Sequence, residues 1–551
     1  MLTPDQLPSG APRPQRRSCP ARPHRSNGTV DWPLLTARPA RTGSPLPTAG
    51  LTSLTRRDLD PRPRRADTAP GGQLRARCSN AAQEGGTAVV RTESLPGQAQ
   101  GSPPRVSGGL PVLGHIAEFM RVPLDVIERG YSEHGPVFTF SLAGRQVVTM
   151  LGPEYHRFFF AETDGPLSIR KAYPYFVRMF DQEFYFFGGP DEYQRQRALV
   201  LPRFQGRQLD SYVEVMAAET RQLMDRLGDS GEFDLVQELG PLVMHIAARA
   251  FLGPDISERI TGFFAEFRRF SAGMDPVLPG WLPLPHLLRS KRSRDRLRIR
   301  LQKLIDERRR EPADPPDFLQ TICDASYADG APVPDLVRIN LILMIIWAGH
   351  ETTTGHVSWA LIDLLRHPGE LDRVRAEQQE VLGGAPPGSI RDINELRLLD
   401  RAVHETERLH PVAFVLARTA EESFEVDGYR VSEGSMILLS PAVAHRLPGR
   451  YPEPDQYRPD RFLEDPRGIR DLIGFGGGVH RCLGVHFAYL EMKVIVTLLL
   501  QRYRLELIDP DPQPIPGQKT KWPQSPCRVR YQALPPAAGS PDSGAPAGRR
   551  P

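Results

Sequence analysis

The chain has 551 residues, of which 40% are apolar and 25% charged, with a formal net charge of +4. That length allows several ordinary domains or one large unit, and the composition suits a globular protein rather than a fibrous or wholly disordered one. Five cysteines, at 19, 78, 323, 482 and 527, show no paired spacing and no CxxC motif, which argues against a disulfide framework or a structural zinc site and makes a reducing compartment the default.

Residues 1–105 hold runs such as Ala11-Pro12-Arg13-Pro14 and Asp60-Pro61-Arg62-Pro63-Arg64-Arg65, with few large apolar side chains and no repeating period. Such a stretch cannot bury enough apolar surface to offset the entropy of ordering, so it reads as disordered. It carries 16 arginines, no lysine and 7 acids, a balance of +9, which leaves the remainder, with 54 basic and 59 acidic side chains, at −5. An Arg-rich, Ser-containing, acid-poor leader also fits an organelle transit segment, and a start placed too far upstream is a third reading. A basic arm can bind nucleic acid or an acidic partner, but an unstructured Arg/Pro tract more often has no such role, so nucleic acid is not expected as a partner. No apolar core follows Arg16-Arg17 or Arg56-Arg57, which argues against twin-arginine export. The cytoplasm is the expected location, with an organelle as the alternative.

The texture changes at about Val106, where Gly108-Gly109-Leu110-Pro111 leads into interspersed helix and strand signals. A single globular unit is expected over 106–533, followed by a flexible Gly/Pro/Ala tail at 534–551. Val137 to Leu142 and Val147 to Leu151 flank Ala143-Gly144-Arg145 and read as a hairpin. Helical periodicity marks 208–227, 257–271 and 291–309. Pro334 at a first-turn position and Pro368 beyond the far end then bracket some thirty residues without an internal proline, roughly 45–50 Å of helix, enough to cross a whole domain. Its most apolar run, Leu341 to Ala348, lies among Arg338, Asn340 and Glu351 and falls short of a membrane span. Helical patterns return at 372–382, 392–410 and 484–502, and Phe424 to Val431 repeats the hairpin pattern around Asp427-Gly428. The fold class expected is mainly α with small β-sheets, without internal repeats.

Phe475-Gly476-Gly477-Gly478-Val479-His480-Arg481-Cys482-Leu483-Gly484 places a thiol between a glycine loop and the first turn of an apolar helix. Glycines let backbone approach a flat cofactor closely, and a helix N-terminus favours thiolate, the form that binds iron. A cysteine before a helix is by itself more often an inert buried thiol. The ten-residue pattern, however, resembles the heme-binding loop of the cytochrome P-450 family at its phenylalanine, glycines, histidine and cysteine. That resemblance implies a single cytochrome P-450-type domain holding heme b (iron protoporphyrin IX). It makes Cys482 the axial ligand of the iron, packs Phe475 near the sulfur, puts Gly476, Gly478 and Gly484 at the cofactor, and directs His480 to a propionate.

Ala348-Gly349-His350-Glu351-Thr352-Thr353 lies in the middle of the long helix. A mid-helix threonine tends to bond back to the carbonyl four residues earlier, here Ala348, and Gly349 leaves room for the helix to open. The groove so formed offers a hydroxyl and an acid beside an apolar stretch, as proton delivery requires. Alone, the six residues would read as a surface Glu and a tolerated Thr. Together with the cysteine loop they resemble the family's oxygen-activating segment, which implies that Thr352 holds the oxygen-side hydrogen-bond network and Glu351 supplies the acid.

Glu405 and Arg408 stand one turn apart and can pair, usually as an ordinary surface ion pair. The resemblance adds Arg461, in Pro459-Asp460-Arg461-Phe462, and makes the three a buried structural network. It also matches Arg418 and Arg197 to propionate contacts, with Tyr193 where a Trp or His is common; without the resemblance both arginines read as solvated charges.

The aromatic stretch from Tyr173 to Phe187, with Trp347, Ala348 and Val412 to Leu416, is expected to line a large apolar pocket, although aromatic clusters are more often plain core. Tyr173, Phe176, Trp347, Ala348, Ala413 and Phe414 are the candidate wall residues, and a sterol, terpenoid or polyketide-like substrate suits such a pocket. Within the family, the segments 171–176, 349–359 and 409–411 are similar to the soluble bacterial sterol 14α-demethylases. That group usually carries a histidine directly before the oxygen-helix threonine, whereas this chain has Glu351, the ordinary family choice.

The resemblance therefore implies a heme-dependent monooxygenase that inserts one oxygen atom of O2 into a C–H bond of a hydrophobic small molecule. No flavin or nicotinamide fold is visible, so electrons are expected from a separate partner, a ferredoxin with its reductase. A heme-thiolate sensor or carrier without oxidation is the alternative, and the Glu351-Thr352 pair argues against it because a sensor needs no proton delivery.

Overall fold

The computed structural model describes residues 101–535 apart from 182–183, 185–188, 207, 254–259, 274–283 and 518–519, together with the strand Val89–Val90. The rest of the arm expected to be disordered, and most of the tail from 534, lie outside the described residues.

The long helix runs from Asp335 to Arg366, 32 residues, with Pro334 as its cap residue. At the standard rise it is about 48 Å long. Pro368 opens the next helix, Pro368–Leu382. Helices Leu235–Leu252 and Val485–Arg502 pack along the central one, which is buried from Val337 to Met344 and again from Thr353 to Leu364. A helix apolar on all sides belongs inside a core, and this one is the axis of the larger of two hydrophobic clusters. Among the described residues no helix is long and apolar enough to cross a membrane.

One helical expectation changes. The pattern at 392–410 folds as two helices, Ile390–Glu395 and Arg397–Leu409, because Leu396 leaves helical geometry at φ −77°, ψ 70°. Glu377, from helix Pro368–Leu382, accepts the amides of Leu398 (2.6 Å) and Leu399 (3.0 Å) and so does the work of a cap. The helix Leu235–Leu252 contains Pro241, a residue that reads as a breaker in sequence.

The smaller cluster lies under a five-stranded sheet in the order Val137–Leu142, Arg145–Met150, Met436–Leu439, Leu416–Ala420, Leu167–Ser168. Its first two strands form the expected hairpin, turning at Ala143 and Gly144 with φ 50° and 84°, the positive angles that let a two-residue turn follow the twist of the strands. Phe424–Val426 and Tyr429–Val431 pair as the second hairpin, and Val89–Val90 adds to it in parallel. Ser230–Asp234, Arg528–Ala533 and Tyr503–Leu507 make a third sheet that returns the C-terminal strand to the helical core.

His156 and His356 are both buried. Burial lowers their pKa values from 6.5 to about 4 and about 3. Both are therefore neutral when folded, whereas the unfolded chain takes up protons near the ordinary value of about 6.5. Between about pH 6.5 and pH 4 the unfolded state binds more protons, so stability falls as pH falls through that window. His156→Phe is expected to reduce this loss, measured as a smaller drop in Tm on acidification; an unchanged pH slope would contradict the assignment.

Candidate active site

Helix Val485–Arg502 is capped by Gly484, and Cys482 lies just before the cap. The Cys482 amide donates to the Phe475 carbonyl (2.9 Å), closing the loop on itself. Gly476 and Gly478 adopt φ 69° and 61°, and a methyl group at Gly478 would sit 2.6 Å from the Phe160 carbonyl oxygen. Only glycine fits both demands there.

Cys482 lies deep in the protein yet keeps exposed side-chain surface. Burial pushes its thiol above the ordinary value, while the Gly484 amide and the charges of Arg197 and Arg481 pull it down. The helix N-terminus thus acts in the expected direction, against desolvation. A metal cation bonded to the sulfur reverses that balance, because a coordinating thiol loses its proton outright.

The central helix shows matching openness at its midpoint. Residues 347–352 are half-buried between two buried stretches, and a methyl group at Gly349 would meet no atom within 4 Å. Thr352 Oγ1 donates to the Ala348 carbonyl (2.7 Å), and the Glu351 carbonyl accepts from Trp522 Nε1 (2.6 Å). One turn further on, the His356 ring lies 5.6 Å from that of Phe475, which joins helix and cysteine loop.

Two guanidinium groups stand beside the loop without a carboxylate partner among the described residues. Arg418 is buried and donates to Thr163 Oγ1 (3.0 Å) and to the Ala417 carbonyl (2.8 Å). Arg197 donates to the Tyr193 hydroxyl and to the Arg481 carbonyl, both at 3.1 Å. The Tyr193 ring lies 4.0 Å from that of His480, whose Nε2 pairs with Asp164 (2.8 Å) and whose Nδ1 is buried with no partner among the described residues. Burial lowers the His480 pKa, and Asp164 works against that shift. A buried cation such as Arg418 is costly unless an anion completes it. An interior sulfur, a half-buried stretch at the helix midpoint and guanidiniums without a carboxylate bond among the described residues fit a flat, metal-bearing ligand with two carboxylates, as heme is.

The cytochrome P-450 family model matches residues 103–530. The chain belongs to the cytochrome P-450 family. A sterol 14α-demethylase of Mycolicibacterium vanbaalenii is 32% identical over 78% of this chain and 97% of its own length. A lanosterol 14-alpha demethylase of Pongo abelii is 28% identical over 77% of this chain and 84% of its own. Among solved structures, the retinoic acid-bound cyanobacterial CYP120A1 superposes with a TM-score of 0.71 at 25% identity, covering 79% of this chain and 99% of that one. The protein is accordingly a cytochrome P-450 monooxygenase, an oxidoreductase that binds heme, takes a hydrophobic substrate and O2, and receives electrons from a redox partner.

The remaining residues singled out in the sequence fall in two further places in this cytochrome P-450. Glu405 accepts two bonds from Arg408 and one from Arg461, all at 2.8 Å, with the three residues 0%, 0% and 5% exposed. Arg408 and Arg461 spend their other donors on the carbonyls of Gln456 (3.0 Å each) and neighbouring residues. Tyr173, Ala413 and Phe414 line one cavity of about 460 Å³. Phe176 lies between Tyr173 (5.7 Å) and Trp347 (5.6 Å), so the aromatic wall reaches the central helix next to Ala348. Asp164 and Trp522 had no sequence signal, because each meets its partner only across a large separation in the chain.

Removing the central carboxylate of the triad leaves two buried guanidiniums without their anion. Glu405→Gln is expected to cost about 3–5 kcal/mol, the usual penalty for breaking a buried pair. Thermal unfolding followed by circular dichroism measures it, and a variant with the parental midpoint would show the network to be dispensable.

Proposed function

We propose that Cys482 is the axial thiolate of the heme iron, that Arg418, Arg197 and His480 hold the propionates, and that Phe475, Gly476, Gly478 and Gly484 shape the loop beneath the ring. The supporting observation is the interior cysteine with uncovered surface beside cations that lack carboxylate partners among the described residues. When bound, heme supplies dioxygen activation and C–H oxidation, to which thiolate donation contributes. Thr352 Oγ1 bonds back to the Ala348 carbonyl at the half-buried midpoint of the central helix. Glu351 is the acid from which protons pass inward, and Thr352 holds them in line. Glu405, Arg408 and Arg461 lock the core on the heme side.

The apolar side chains of Tyr173, Phe176, Trp347, Ala348, Ala413 and Phe414 exclude water and hold a hydrophobic substrate of sterol, terpenoid or polyketide-like size. Sterol chemistry is supported by the curated relatives, which are named as sterol demethylases. Glu351 in place of the histidine usual in that group speaks for a different site of oxidation or a different skeleton. Electrons reach the heme from a separate ferredoxin and its reductase.

Cys482→Ser is expected to abolish the carbon monoxide difference spectrum typical of thiolate coordination; retention of that spectrum would overturn the ligand assignment. Thr352→Ala is expected to keep heme and the substrate-induced spin shift while lowering product formation with a surrogate ferredoxin system by about 100-fold, in the range that a positioned proton donor contributes. Unchanged product yield would remove Thr352 from proton delivery.

A further inference from the structure

Helix Arg397–Leu409 carries Asp400, His404 and Glu407 at the spacing i, i+4, i+7, which lines three titratable side chains along one face. Exposure falls along that line: the side chains of Asp400 and His404 are 35% and 11% exposed, and Glu407 is buried. At the outer end Asp400 pairs with Lys493 Nζ (2.8 Å) and lies 3.4 Å from His404 Nδ1. The His404 ring stacks on that of Tyr489 (4.4 Å), and the Tyr489 hydroxyl donates to Glu407. At the inner end Glu407 meets Gly474 and, through Tyr489, the ring of Phe475 (5.0 Å), whose carbonyl takes the Cys482 amide. A ladder of ionisable groups thus runs from the surface to the back of the cysteine loop.

Glu407 accepts the Tyr489 hydroxyl and the Gly474 amide but pairs with no cation among the described residues. A buried carboxylate held by neutral donors alone is costly to ionise. Burial accordingly raises its pKa, while His404, Tyr489, the Gly474 amide and Arg481 work against the shift. Burial disfavours a charged His404 as well, but Asp400, with Glu407, outweighs it and raises that pKa. The other ionisable groups around Glu407 keep one form: burial holds Tyr489 and Tyr451 as hydroxyls and His445 as a neutral ring. Glu407 and His404 are therefore the pair that exchanges protons with solvent behind the loop. The field of Glu407 also reaches that loop, since its charge is among those acting on the Cys482 sulfur, where it opposes a second negative charge.

We propose that Glu407 ties the reduction potential of the heme to pH, its carboxylate taking up a proton when the iron is reduced. The inference rests on the reading of Cys482 as the axial thiolate and gives Glu407 a positioning role, exerted through its charge. In the balanced step the redox partner gives up one electron, ferric iron becomes ferrous, and one proton passes from water to the Glu407 carboxylate. The added electron makes the heme side more negative, which favours the neutral carboxyl, so Glu407 holds its proton more tightly in the ferrous state. Between the two pKa values reduction consumes a proton, and the potential falls as pH rises; outside that window Glu407 contributes no slope.

The test is a spectroelectrochemical titration of the full-length holoenzyme between about pH 5 and pH 8, the range that a raised carboxyl and a histidine share. The parent protein is expected to lose about tenfold in its reduction equilibrium across the window, about 59 mV for one electron. Glu407→Gln, which keeps a hydrogen-bonding group of the same size without the charge, is expected to remove that slope while retaining heme and the thiolate-type carbon monoxide spectrum. Tyr489→Phe withdraws a hydrogen bond that favours the carboxylate, and His404→Gln withdraws the facing cation. Each is expected to move the window to higher pH, and these two variants decide the matter should Glu407→Gln fail to fold. A parent potential independent of pH, a slope unchanged in Glu407→Gln, or a window left in place by either of the other variants would overturn the proposal. A parent protein without the thiolate-type spectrum would instead sink the ligand reading beneath it.

Discussion

Cys482 lies inside the protein with its sulfur uncovered, and an uncovered interior sulfur needs a loop that neither folds over it nor collapses into the core. Gly478 presses backbone to backbone on Phe160, and the Phe475 carbonyl takes the Cys482 amide, so the loop is held from in front. From behind it is held by Glu407. That buried carboxylate sits against Gly474, where a methyl group would come within 2.6 Å of its Oε1, and accepts the Tyr489 hydroxyl, whose ring in turn lies 5.0 Å from Phe475. Glu407 belongs to the same helix as Glu405 and Arg408, which point to the 452–461 segment. One short helix therefore braces the cysteine loop with one face and anchors the segment beneath it with another.

What was readable in the sequence is what is written in one continuous stretch of chain. The Ala143-Gly144 turn, the span from Pro334 to Pro368, the glycine pattern ahead of Cys482 and the Glu405/Arg408 spacing all carry their signals locally, and each element follows from side chains that meet their neighbours in the chain. The break at Leu396 did not show, because its cap comes from Glu377 on another helix. The helix Leu235–Leu252 contains Pro241 and packs against the central helix, a contact no local propensity reports. The electrostatics of the site were less legible still. His480 carries a family signal, but its partner Asp164 lies 316 residues earlier, and only the fold shows that Arg418 and Arg197 bond no carboxylate among the described residues. Likewise, the helix N-terminus at Gly484 is visible in sequence as a force favouring thiolate, while the burial that outweighs it is a tertiary quantity.

The segment around Lys521 and Trp522 ties the middle of the central helix to the cavity wall at Val412. Trp522 Nε1 donates to the Glu351 carbonyl (2.6 Å), the Lys521 carbonyl accepts from Trp359 Nε1 (2.8 Å), and the Lys521 amide donates to the Val412 carbonyl (3.1 Å). Gly355 makes the arrangement possible, since a methyl group there would meet both Val412 (2.7 Å) and Trp522 (2.8 Å). The central helix, the 412–414 wall and the C-terminal segment consequently touch at one point with no room to adjust separately. A side chain that moved Trp522 would shift the backbone at Glu351 and the cavity wall at Val412 together, because close-packed interiors transmit displacement rather than absorb it. The backbone at Glu351 and the cavity wall at 412–414 are for that reason parts of one joint in this fold, and a side-chain change made at 412–414 carries a displacement of the central helix with it.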